Sequence, residues 1–224
     1  MNIEFSLRVR RAFRPPTLEV AGRAGIILRP LRESDADALW VLVKSCRAYL
    51  ARGLTWPKKW KSVRDASRFI KEALDKSERE EALHFVIWYE DRPVGMMSFR
   101  DLNMEERKAE LGYWVAKKFQ GRHIATDAAR TLMAHGFQTL HLWRIEATCC
   151  RKNKGTVKIV ENLGMAFESC GIRTALFGGK RVKLQLYYIC RHFPEKESRS
   201  TNSSRPHGSF FYSSFNSKHT EFVQ

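Results

Sequence analysis

Glu110-Leu111-Gly112-Tyr113-Trp114-Val115, followed by Phe119-Gln120-Gly121-Arg122-His123-Ile124-Ala125, is the stretch from which the rest of this 224-residue chain is read. The first run is short, aromatic and branched, as a buried strand requires. A helix then follows. Ala125, Ala128, Ala129, Leu132, Met133, Gly136, Phe137 and Leu140 recur at i, i+3, i+4, i+7 spacing and form one apolar stripe. Thr126 or Asp127 offers a side-chain oxygen for the first unpartnered amides of that helix. The turn between strand and helix is basic. Its amides and the positive end of the helix dipole would converge on one spot, a site for an anion such as a pyrophosphate, with Arg122 adding a fork of donors. The same pattern also fits an ordinary strand–turn–helix with solvated charges.

Working outward, Ile26–Leu31 reads as an opening strand. Ser34 or Asp35 can cap a helix carrying Ala36, Leu39, Trp40 and Val43. A loop with Trp56 and Trp60 among Lys58, Lys59 and Lys61 leads to a second helix, Val63–Ser77. His84–Tyr89 and Val94–Phe99 form a hairpin. After the central helix, Trp143–Cys149 alternates with period two, completing a strand–helix–strand unit that predicts a parallel pair with a right-handed crossover. Val157–Leu163 is a short helix ending at Gly164. Met165–Ser169, Arg173–Phe177 and Val182–Ile189 are further strands, the last two joined through Gly178-Gly179-Lys180. Mixed strands and helices of this kind make an α/β layer fold.

Composition sets bounds. Lys+Arg number 40 against 24 Asp+Glu, a formal charge of +16. Within residues 26–190 the counts are 30 and 19, so the excess is not confined to the ends. Such a surface favours an anionic partner without naming it. No apolar run approaches the roughly 18 residues of a membrane span, so no membrane partner is expected. Cys46, Cys149, Cys150, Cys170 and Cys190 show no paired spacing, which points away from zinc or a disulfide scaffold and toward a reducing, cytoplasmic setting. Residues 1–25 carry Arg8, Arg10, Arg11 and Arg14 without a signal-peptide core and read as a solvated basic arm. Residues 191–224 hold eight serines and few aliphatics, the composition of a disordered tail.

Gln120-Gly121-Arg122-His123-Ile124-Ala125 resembles the Gln/Arg-x-x-Gly-x-Gly/Ala acetyl-coenzyme A loop of the GNAT acyltransferases. Glu-Leu-Gly-Tyr-Trp before it resembles the matching strand of the ribosomal-protein alanine N-acetyltransferase branch. The likeness spans about Ile26 to Cys190, with one departure: His123 stands where the family usually has glycine. The resemblance implies a GNAT fold, a mixed and mostly antiparallel sheet with a splayed parallel strand pair and helices on both faces. It also implies acetyl-CoA as cosubstrate, no metal, and a primary amine as acceptor. A protein N-terminus is the first choice, with possible ribosome association, and a small-molecule amine the second.

On this reading Val115, Gln120, Gly121, Arg122, His123, Ile124 and Ala125 hold the coenzyme. Asn153 lies by its pantetheine arm, and Thr156 supplies a hydroxyl to the leaving thiolate. Glu110 is the candidate base, directly or through water, with Glu146 behind it, and the base role requires burial to raise its pKa. The tyrosine that many GNAT enzymes use near the sulfur has no counterpart, since Val160 occupies its place. A covalent route through Cys149 or Cys150 is the minor chemical alternative. From a different class comes a catalytically impaired GNAT fold that binds RNA or a partner through its basic surface. His123 is expected to weaken coenzyme binding without abolishing it, because a β-carbon resists the positive φ that glycine tolerates.

Overall fold

A computed structural model describes residues 15–191. Twelve regular elements run in the order β1 (Leu18–Glu19), β2 (Ile26–Pro30), α1 (Ala36–Leu50), α2 (Val63–Glu78), β3 (Leu83–Tyr89), β4 (Arg92–Asn103), β5 (Lys108–Val115), α3 (Ile124–Gln138), β6 (Arg144–Cys150), α4 (Lys154–Asn162), β7 (Ala166–Phe177) and β8 (Lys180–Cys190). The strands form one eight-stranded sheet in the order β1-β2-β3-β4-β5-β6-β8-β7. Every neighbouring pair is antiparallel except β5 and β6, the pair expected to be parallel.

Both faces of the sheet are covered, and the strand sequences show why. In β3, Phe85 and Ile87 point to one core and Val86 to the other, so an unbroken apolar run is buried on both sides. One core packs Ile124, Ala128, Ala129 and Leu132 of α3 against Leu28, Met97, Phe99, Leu111 and Ile145. Truncating a fully buried leucine such as Leu132 to alanine costs about 2–5 kcal/mol in such surroundings. The opposite core joins Leu39 and Val43 of α1 with Ala66, Ile70 and Ala73 of α2 and the two tryptophans. Trp56 and Trp60 lie 4.8 Å apart, and Trp56 sits 5.9 Å from Trp114. They are buried beneath the loop, not presented on it.

Three local expectations change. The two-residue β1 pairs Leu18 with Leu28 and buries Val20, so the segment read as a solvated arm enters the fold from residue 18. A strand that short leaves no periodicity to detect. Residues 166–177 form one strand, not two; the register shifts between Cys170 and Thr174, around the left-handed Gly171, while pairing with β8 continues on either side. The α3 cap is also different. Helix geometry begins at Ile124, which places Thr126 and Asp127 inside the first turn, where neither can cap; His123 precedes the helix and makes no side-chain cap bond. The basic N-terminal residues 1–14 and the serine-rich segment beyond 191 lie outside the described residues.

Candidate active site

The parallel ladder between β5 and β6 is three residues long. Lys108, Ala109 and Glu110 pair with Arg144, Ile145 and Glu146, and there it stops. Beyond that point β5 bonds only to β4 and β6 only to β8, so the facing edges diverge. A cleft of about 520 Å3 opens between them. Leu111 to Val115 line it on one side, Ala147 and Thr148 on the other, and the start of α4 closes it.

At the far end of β5 the chain makes a short 3-10 turn, Lys117–Phe119, and enters α3 through Gly121 and His123, both left-handed at φ +71 and +61. The histidine thus adopts the conformation that glycine would supply. None of the six amides from Gly121 to Thr126 donates to an acceptor among the described residues, and Gly121, His123, Ile124, Ala125 and Thr126 all face the cleft. Six unpartnered N–H groups at a helix start, beside the positive end of its dipole, form an anion cradle. Lys152, Lys154 and Lys158 line the same cleft. These groups fit a coenzyme bearing a diphosphate.

Bracing of this loop brings in Arg23 and Tyr49, which the sequence did not mark. Arg23, in the turn before β2, donates to the Arg122 carbonyl at 2.5 Å and pairs with Asp127 at 3.3 Å. Gln120 donates to the Tyr49 hydroxyl and, at 3.4 Å, to the Val115 carbonyl, tying the loop to α1. Arg122 itself stands over the Phe119 ring at 5.9 Å and is not among the cleft-lining residues.

Asn153 caps α4, its Oδ1 accepting the Thr156 N–H at 3.3 Å, and both residues line the cleft. Tyr113, opposite on β5, lines it too. The rest of the lining includes Tyr49 in the last turn of α1, Arg52, Gly53 and Leu54 after it, and Phe177 at the β7–β8 hairpin. Gly178 N–H donates to the Arg52 carbonyl at 2.7 Å and holds that hairpin in place. Of the tryptophan loop, only Leu54 reaches the cleft.

Glu110 behaves differently from its expectation. It does not line the cleft. Its carboxylate accepts from Thr148 Oγ1 at 2.6 Å, Arg100 Nη2 at 3.0 Å and Arg173 Nη1 at 2.6 Å. Burial alone would raise its pKa and is the largest single influence, but the Arg100 and Arg173 charges and the hydroxyl together outweigh it and hold it below the ordinary carboxylate range. The raised pKa that a base requires is absent. Gly112 makes the arrangement possible: a β-carbon there would sit 2.6 Å from Arg100 Nε. Glu146, the second candidate, is paired with Arg144 at 2.7 Å. The Cys149 thiol is fully buried, which pushes it up to about 12, so it holds no reactive thiolate near neutral pH. Among the described residues no cluster of His, Cys, Asp and Glu is arranged to hold a metal ion.

Residues 26–166 match the acetyltransferase (GNAT) domain family. The chain belongs to that family. It is therefore an acetyl-CoA-dependent N-acetyltransferase. The Escherichia coli (strain K12) ribosomal-protein-serine acetyltransferase is 27% identical over 143 residues, covering 64% of this chain and 80% of that protein. Among solved structures, a ribosomal L7/L12 alpha-N-protein acetyltransferase in complex with coenzyme A superposes with a TM-score of 0.74 at 22% identity, over 78% of this chain and 98% of that one. Mycobacterium smegmatis RimJ with coenzyme A disulfide gives 0.71 at 24% identity, over 84% and 91%. These likenesses establish the acetyltransferase fold, with coenzyme A bound in both neighbours. No helix among the described residues is long and apolar enough to cross a membrane.

Proposed function

We propose that this acetyltransferase acts on the α-amine of a protein N-terminus, moving acetyl directly from acetyl-CoA to nitrogen. The observation that carries the acceptor class is the charge of the cleft. Arg52, Lys152, Lys154 and Lys158 line it, and no Asp or Glu does so among the described residues. With the lysines taken up by the diphosphate, the second charge of a polyamine would still meet Arg52 and no carboxylate among the described residues that line the cleft. A single terminal amine, delivered neutral on a peptide, meets no such barrier. The relationship to a ribosomal-protein-serine acetyltransferase supports the same acceptor class.

The coenzyme supplies the activated thioester; the chain binds, orients and polarises. The amides of residues 121–126 and the cleft lysines hold the diphosphate end, with Val115 and Asn153 flanking the arm. Thr156 is the hydroxyl placed to stabilise the departing sulfur. Glu110 acts through position: with three donors on its carboxylate and its charge matched, it latches β5 to Thr148 and Arg173 and fixes where the strands part. The amine gives up its proton to water at the cleft mouth. Transfer is direct, because neither Cys149 nor Cys150 lines the cleft.

Release of free thiol from acetyl-CoA, measured across peptides beginning with serine or alanine and across spermidine, tests this reading. Turnover with the peptides and little with spermidine is expected. Preference for spermidine sinks the acceptor assignment. No turnover at all, together with salt-sensitive RNA binding, favours the impaired, nucleic-acid-binding alternative.

A further inference from the structure

Tyr113 carries a feature that binding of the donor does not explain. It stands in the cleft wall on β5, yet its hydroxyl oxygen is shut off from solvent and has no hydrogen-bond partner among the described residues. Leaving such a group unpaired costs about 1–3 kcal/mol. Thr156, at the start of α4 on the opposite wall, is close enough to favour the phenol's ionised form but lies short of hydrogen-bonding geometry. The two hydroxyls therefore face one another across the strand divergence.

We infer that Tyr113 is a positioning residue for departure of the thiol, its O–H donating to Thr156 Oγ1 so that the threonine proton is aimed into the cleft. The inference rests on the role given to Thr156 above. A hydroxyl has one proton and two lone pairs, and its rotor is free unless something fixes it. The Thr156 backbone N–H is committed to Asn153 Oδ1, but that bond leaves the side-chain proton undirected. In the first turn of a helix that proton can also turn back to upstream acceptors of its own chain. Donation from Tyr113 occupies a lone pair and strengthens the bond that Thr156 makes onward. Burial, which drives the Tyr113 hydroxyl well above the ordinary phenol range, keeps it protonated and so always a donor. In the reaction a C–N bond forms, the C–S bond breaks, and its electron pair comes to rest on sulfur. Thr156 donates a hydrogen bond to that pair. The proton shed by nitrogen passes to water and thence to sulfur, and both hydroxyls keep their own.

The test is a double-mutant cycle on acetyl transfer to a serine-initiated peptide, with coenzyme A affinity measured by calorimetry. Tyr113→Phe keeps the ring and removes only an unpartnered group, so folding, followed as Tm, is retained. In the otherwise unchanged chain it is expected to lower kcat about tenfold while leaving the coenzyme Kd within about twofold. In a Thr156→Ala background the same change costs nothing further, because the group it orients is gone. The deficit also narrows with an acetyl thioester of a more acidic aromatic thiol, whose sulfur needs less help. An undiminished kcat in Tyr113→Phe, or an equal loss in both backgrounds, overturns the positioning role. Wild-type kcat in Thr156→Ala alone overturns the Thr156 reading itself, which keeps the two failures distinct.

Discussion

The two halves of the β5–β6 pair are built from the same strands by opposite means. Between Lys108 and Glu110 they share a backbone ladder, and side chains from β4, β6 and β7 converge on one carboxylate. From Leu111 onward they share no backbone bond, and the loop before α3 adds six amides without an acceptor among the described residues. The closed half surrounds its buried carboxylate with three donors; the open half leaves its donors for a ligand. A binding cleft in this molecule is thus an interruption of secondary structure whose starting point is set by charge. That makes the contrast breakable from either side.

The largest effect is expected at the closed half. Glu110→Ala leaves Arg100 and Arg173 without their carboxylate, a loss of about 3–5 kcal/mol for a buried pair, taken at the lower end because Arg173 is 43% exposed. For a domain of this size that is a Tm drop of roughly 6–12 °C by calorimetry. A Tm unchanged within error removes the latch. Acid provides a second reading. The folded pKa of Glu110 lies below its ordinary value, so its contribution is fully present above the ordinary carboxylate range and fades as pH falls through the folded pKa. The Tm gap between the native chain and Glu110→Gln accordingly stays constant from pH 8 to about 6 and narrows only below about 4.5.

At the mouth of the open half, Thr156→Ala is expected to cost about a hundredfold in kcat with little change in acetyl-CoA affinity, the signature of an interaction made mainly in the transition state. A rise in KM at constant kcat would instead make Thr156 a simple contact for the coenzyme.

How much of this was readable in the chain divides along the same line. The open half is written locally: a strand, a basic turn with Gly121 and a 3.6-period helix lie within some thirty consecutive residues, and the anion cradle follows from backbone geometry alone. The closed half is written at a distance. Glu110 meets partners 10, 38 and 63 positions away, and neither spacing nor periodicity links Arg173 to it. The same holds for Arg23 and Arg122, 99 positions apart, and for Tyr49 and Gln120, 71 apart. Gly112 was the one available signal, a glycine inside an apolar strand that marks a close approach. The absence of a helix tyrosine at Val160 was legible; that a strand tyrosine stands near Thr156 was not, because it depends on how far two strands part.

Arg23 offers a milder probe of the open half. Arg23→Ala removes the donor that holds the Arg122 carbonyl and the charge beside Asp127. The guanidinium is exposed enough that about 1 kcal/mol is at stake, a roughly fivefold loss of acetyl-CoA affinity at unchanged kcat. A kcat effect without a change in affinity would place Arg23 outside the donor loop's support.

His123→Gly is expected to do least, and the reason sharpens what the open half is. A left-handed side-chain-bearing residue stores on the order of 1 kcal/mol, which glycine would release, but glycine also gives the unfolded chain more freedom to lose, by about the same amount. Stability therefore changes little. Affinity changes little as well, because at φ +61 His123 turns its backbone as glycine would and offers the same amides to the ligand. Calorimetry is expected to show acetyl-CoA affinity rising by no more than about threefold, under 1 kcal/mol. A larger gain would mean that the free loop spends time in another conformation and that the cradle forms only on binding. A loss would mean that the imidazole itself donates to the anion, with the family's usual glycine exchanged here for a side-chain ligand.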